Sequence, residues 1–68
     1  METKDMVRMA NQIASYFRAY PEEEAVKETA KHLKSFWEPR MRKLLDDHVA
    51  KGGEGLEPLV LKAHAKLH

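Results

Sequence analysis

Apolar residues recur along this chain at steps of three and four, and no segment alternates with period two. The pattern therefore predicts helices and no strands. A first helix is expected from about Thr3 to Ala19, with a stripe of Met6, Ala10, Ile13, Phe17 and Tyr20. Met9 and Tyr16 widen that stripe on one side. Thr3 suits the N-cap, because its hydroxyl can accept a bond from an orphan backbone N–H. Asp5 falls in the first turn, where the helix dipole favours negative charge. Pro21 stops this helix and opens a second, reaching about Trp37, with Val26, Ala30, Leu33 and Trp37 inward and Phe36 off that line.

Pro39 repeats the device. Glu38 before it is pushed away from helical geometry, and a third helix is expected from Pro39 to about Ala50, burying Met41, Leu44, Leu45 and Val49. Gly52-Gly53-Glu54-Gly55 breaks the pattern, and Gly52 suits a left-handed C-terminal cap. A short last helix from about Pro58 to Leu67 shares Leu59, Val60, Ala63 and Leu67 on a broad face, with Leu61 pointing away. The expected fold is all-α: one compact bundle over the whole chain, three main helices and a short C-terminal one, joined by tight turns that favour antiparallel neighbours.

The chain has 68 residues, so its core is small. A core of that kind supplies only about 3–5 kcal/mol without a staple. There is no cysteine, which removes disulfides and thiolate metal sites. Helix packing and association remain. Lys and Arg number 12 against 11 Asp and Glu, a formal charge of +1, without the basic excess of a dedicated nucleic-acid binder. The charged start Met1-Glu2-Thr3-Lys4-Asp5 leads into no signal-type apolar stretch, and no run approaches a membrane span. A cytoplasmic protein is expected, with neither a nucleic acid nor a membrane as partner.

Few residues suggest reactive chemistry. His64 and His68 are four apart, as in a two-histidine metal pair, but no third ligand is in register, and solvated histidines near the C-terminus are the simpler reading. Glu22, Glu23 and Glu24 point in different directions on a helix and read as dipole-matched first-turn residues. The glycine cluster lacks the Lys-Ser/Thr of a phosphate loop and reads as a turn. Ser15 and Ser35 lie mid-helix with no nucleophile elbow, and no pocket of roughly 300 Å³ is expected beside so small a core. No catalytic residue, metal or cofactor is assigned.

The richest segment is Phe36-Trp37-Glu38-Pro39-Arg40-Met41-Arg42-Lys43. Trp, Phe, Met and Arg are the types enriched at protein interfaces. The expected arrangement puts Trp37 inside, with Phe36 and Arg40 outside. Tyr16, Phe36, Trp37, Arg40, Met41 and Arg42 are the candidate partner-binding residues. Large apolar groups off the main stripes, Met9, Tyr16, Phe36 and Leu61, mark either docking sites or ordinary surface.

Met9-Ala10-Asn11-Gln12-Ile13, Tyr20-Pro21, Glu24-Ala25-Val26, His32-Leu33, the Phe36–Arg42 run, and Gly52-Gly53-Glu54-Gly55-Leu56 with Pro58-Leu59-Val60 together are distinctive. From about Met6 to Leu67 the chain resembles the delta subunit of NAD-dependent, molybdenum-containing formate dehydrogenases. The resemblance implies a small accessory subunit of a soluble bacterial complex. In that family the alpha subunit carries the molybdenum cofactor and iron–sulfur clusters, and beta and gamma subunits pass electrons to NAD. The delta subunit supports assembly or stability and has no recognised catalytic residue. The expected partners are thus the larger formate dehydrogenase subunits, the alpha subunit first. A self-associating bundle and a DNA-binding helical module, the latter resting on the Arg40–Lys43 cluster, are the alternatives.

Overall fold

The computed structural model describes residues 1–67. Four helices follow one another: α1 (Thr3–Phe17), α2 (Glu22–Phe36), α3 (Pro39–Ala50) and α4 (Pro58–Ala65), with no strand among the described residues. Their lengths are 15, 15, 12 and 8 residues. Each proline sits at a helix start. Pro21 is the extended N-cap of α2, just outside the helix rather than in its first turn, while Pro39 and Pro58 occupy first-turn positions.

The helix ends correct the sequence expectation in detail. Thr3 is already helical, and the cap position belongs to Glu2, whose carbonyl accepts the N–H groups of Asp5 and Met6 at 3.0 and 3.1 Å. α1 ends at Phe17 rather than Ala19, because the residue before Pro21 is steered out of helical geometry and the chain needs Arg18–Tyr20 to turn. α2 ends one residue earlier than expected. Trp37 and Glu38 both adopt extended backbone ahead of Pro39. α4 ends at Ala65, with Lys66 as its cap. Glu22, Glu23 and Glu24 fill the first turn of α2.

α3 closes with paired bonds, Gly52 N–H to the Val49 carbonyl at 3.0 Å and Gly53 N–H to the His48 carbonyl at 2.9 Å. This is a Schellman cap with Gly52 in the first position past the cap residue. Positive φ at Gly52 (117°) and Gly53 (66°) makes glycine the fitting residue there.

α2 packs across both α1 and α4, and α1 also packs on α3 and α4. α3 therefore rests chiefly on α1 rather than on its chain neighbour α2. The two extended residues between α2 and α3 carry the chain off instead of folding it back. The core holds Met6, Ala10 and Ala14 of α1, Ala30 and Leu33 of α2, Leu45 of α3, and Val60 and Ala63 of α4, joined by Trp37 and Leu56 from the connections. The buried line of α1 is thus Met6-Ala10-Ala14. Ile13 and Phe17 are half-buried at its edge, and Tyr20 is exposed, outside the core. Along α1, the small Ala10 and Ala14, rather than Ile13, Phe17 or Tyr20, therefore take the positions facing the other helices.

The connection from α3 to α4 is fastened by side chains from other elements. The amide of Asn11, mid-way along α1, donates to the Gly55 carbonyl and accepts the Glu57 N–H, both at 2.9 Å. Between those two bonds Leu56 turns into the core. His48 donates from Nε2 to the Glu54 carbonyl at 2.7 Å, which fixes that nitrogen as the protonated one. Arg18 pairs with Glu57 at 2.9 Å, at the N-cap of α4, and Lys62 in the last turn of α4 pairs with Glu22 at 2.7 Å, so α4 is tied to both α1 and α2.

Candidate interaction surface

Along α1, Met9, Ile13 and Phe17 fall four apart, with Gln12 and Tyr16 one step round the helix. Along α2, His32 and Phe36 fall four apart. Packing α1 against α2 brings these rows to the two sides of one groove of about 660 Å³, completed by Trp37 and by Met41 from the first turn of α3. The groove is an open trough on the surface. A recess of this size beside the core was not expected from chain length alone.

Burial grades the groove from floor to rim. Trp37 is 6% exposed, whereas Tyr16 and Phe36 are 70% and 73% exposed. Phe17 joins the two sides. Its ring meets Tyr16 edge-on at 4.9 Å and His32 at 6.3 Å, and His32 lies 4.7 Å from Phe36. Edge and offset arrangements of this kind are favourable for aromatic quadrupoles, so the ring cluster is ordered by its own contacts. His32 Nδ1 is buried and has no hydrogen-bond partner within the described chain.

Four of the six candidate residues, Tyr16, Phe36, Trp37 and Met41, therefore line one surface. The remaining two do not line it. Arg40 is exposed on the first turn of α3, and Arg42 is half-buried beside a separate cleft with Pro39, Lys43, Asp46 and Leu67. From the sequence, Met9 reads as widening the α1 stripe and as a possible docking position, Ile13 and Phe17 read as members of the stripe, and Gln12 and His32 carry no role. The four-residue repeat of aromatic and apolar groups on the α1 flank was the available signal, but only the α1–α2 pairing turns it into a groove.

The other chemical candidates resolve locally. His64, on α4, bonds from Nε2 to Asp46 Oδ1 of α3 at 2.6 Å. The metal pair considered for it includes His68, which lies outside the described residues. Glu22 engages Lys62. Among the described residues no three His, Cys, Asp or Glu side chains come together as a ligand set, and no helix is long and apolar enough to cross a membrane.

A family model for the NADH-dependent formate dehydrogenase delta subunit, FdsD, matches residues 5–64. The chain belongs to this family. No curated protein and no solved structure matches it. The delta-subunit match spans all of α2 and α3, nearly all of α1 and α4, and hence every residue lining the aromatic groove. It also spans the Asn11-fastened loop.

Proposed function

We propose that this delta subunit is a cytoplasmic, non-catalytic accessory protein that docks its aromatic groove onto a larger formate dehydrogenase subunit, the molybdenum-carrying alpha subunit first. One observation carries this reading. Tyr16 and Phe36 stand exposed on the two rims of a groove whose floor is the buried Trp37. Exposed aromatics around a preformed recess have the make-up of an interface hot spot. Met41 completes the contact set, with Arg40 and Arg42 flanking it in sequence on α3. Binding to the native form of the large subunit would stabilise it by mass action, about 2.7 kcal/mol when the free concentration is a hundredfold above Kd. That is how a protein without a reactive centre supports assembly.

Tyr16→Ala and Phe36→Ala test the reading. Both residues are mostly solvent-exposed, so far-ultraviolet circular dichroism should remain helical. Co-purification of the other formate dehydrogenase subunits should fall at least about tenfold, because a hot-spot truncation costs 2 kcal/mol or more. Unchanged co-purification by both variants would remove the groove from the contact. A concentration-dependent dimer of the isolated chain, abolished by the same substitutions, would assign the groove to self-association instead.

A further inference from the structure

A second groove lies on the opposite flank of α2, between α2 and α4, with a volume of about 1010 Å³. Its composition differs from that of the aromatic trough. Lys27, Lys31 and Lys34 recur at steps of four and three along α2, and Lys62 and Lys66 four apart along α4. All five line the groove and are exposed. The apolar part of the lining comes from Val26 and Ala30 on one side and Ala65 and Leu67 on the other.

The charge is unevenly spent. Lys62 is held by Glu22 at 2.7 Å. Lys27, Lys31, Lys34 and Lys66 form no ion pair with any described residue. Four unpaired ammonium groups thus border an apolar strip, while Glu22 and Glu23 line the end of the groove at the start of α2. The chain as a whole is almost neutral, with 12 basic and 11 acidic residues. The lysines are therefore a local concentration rather than a reflection of composition.

We propose that this groove receives an acidic amphipathic helix from another subunit of the complex. The apolar strip would take the helix's apolar positions at i, i+3, i+4 and i+7, as in helix-in-groove recognition. Carboxylates on its two flanks would meet Lys27, Lys31 and Lys34 on one side and Lys66 on the other. Lys27 to Lys34 spans about 10 Å of helix at 1.5 Å per residue, which corresponds to some two turns of the guest. Glu22 and Glu23 set its polarity, because the guest's acidic residues belong toward the Lys31 and Lys34 end. The apolar strip and the carboxylates at one end fit a nucleic-acid backbone poorly, since that ligand presents uniform negative charge. This inference rests on the accessory-subunit reading but uses a different surface from the aromatic groove.

The test is carbodiimide cross-linking of the assembled formate dehydrogenase complex, which joins an amine to a carboxylate in direct contact. Cross-links are expected from at least two of Lys27, Lys31, Lys34 and Lys66 to one acidic helical stretch of a neighbouring subunit. The exposed-site variant K31E/K34E should keep its helical spectrum and lose about tenfold in retention, most strongly at low salt. An intact complex with no cross-link from these four lysines, or undiminished retention of K31E/K34E, overturns the proposal and leaves the aromatic-groove reading standing. Binding of random duplex DNA by the isolated chain, lost in K31E/K34E, overturns it in favour of a nucleic-acid ligand. A chain that never enters the complex defeats the functional reading, and this inference with it.

Discussion

Asn11→Ala isolates the fastening of the α3–α4 connection. The substitution removes two hydrogen bonds, one from the side-chain amide to the Gly55 carbonyl and one from the Glu57 N–H to the side-chain oxygen. A net hydrogen bond is worth about 1 kcal/mol, so the loss is about 2 kcal/mol. The Gly55 carbonyl is at an exposed bond and the Glu57 N–H at a part-buried one, so water can replace part of the lost partner and the full penalty for an orphaned buried group does not apply. Alanine is a better helix former than asparagine by about 0.5 kcal/mol at this mid-helix position. The net destabilisation expected is therefore about 1.5 kcal/mol. For a domain of this size that corresponds to a drop in Tm of about 6–12 °C. It also raises the unfolded fraction by roughly an order of magnitude. Urea denaturation with an unchanged m-value measures the energy, and amide hydrogen exchange locates it: the Glu57 N–H should lose its protection. Asn11→Asp separates donor from acceptor. It keeps an oxygen for Glu57 N–H but sets a carboxylate against the Gly55 carbonyl, so it should cost at least as much as alanine. An Asn11→Ala protein within about 0.5 kcal/mol of the parent, with Glu57 still protected, would refute the claim that this amide holds the loop.

Two further substitutions probe the backbone and the core. Gly53 has φ of 66°, and a Cβ there would sit 2.9 Å from Leu61 Cδ2, the far end of a flexible side chain. Gly53→Ala should cost about 1–2 kcal/mol, mainly in left-handed backbone strain; a thermal midpoint equal to the parent's would contradict that geometry. Thr29 is 1% exposed and its hydroxyl has no hydrogen-bond partner among the described residues. Thr29→Val should therefore stabilise by about 1 kcal/mol, by removing an unsatisfied buried oxygen at equal shape. A loss of stability in the same urea assay would mean that the hydroxyl is bonded in the folded protein.

Much of this arrangement was legible in the amino-acid order, and the exceptions share a cause. Pro39 and the glycine cluster bracket α3 at the positions expected, because proline and glycine act through local sterics that need no partner. The inward row of α2, Val26, Ala30 and Leu33, is buried as its spacing indicates, and Trp37, just past the end of α2, is buried with it. Trp37 inside with Phe36 outside matches the expectation, although Trp37 reaches the core from extended backbone. α1 is where periodicity misled. Ranked by hydrophobicity, its stripe runs through Ile13, Phe17 and Tyr20, yet the buried line turns toward Ala14. Alanine gives a weak hydrophobic signal but permits the closest helix approach, and only the packing of α1 against three other helices shows that closeness decides. Asn11 was illegible for a related reason. Its partners are 44 and 46 residues away, and a mid-helix asparagine carries no local sign of them. The lysine rows were visible as residues but not as a groove, since nothing in the sequence told that α4 lies along α2.

The distribution of apolar volume bears on why such a chain would need a partner. Among the described residues, five of the twelve buried hydrophobic ones are alanines, Ala10, Ala14, Ala25, Ala30 and Ala63, while Tyr16 and Phe36 stand in solvent. A fold arranged for its own stability would do the reverse, because an aromatic side chain buries about 150–250 Å² and each square ångström of apolar area is worth about 25 cal/mol. Moving Phe36 from largely exposed to buried in a complex would therefore release about 2–3 kcal/mol, comparable with the whole stability of about 3–5 kcal/mol expected of so small a core. On the docking reading proposed above, the free energy left out of the fold is held where a second protein can release it. If the proposed docking holds, folding and association are two parts of one energetic arrangement, and the free chain should be measurably less stable than the same chain bound to its partner.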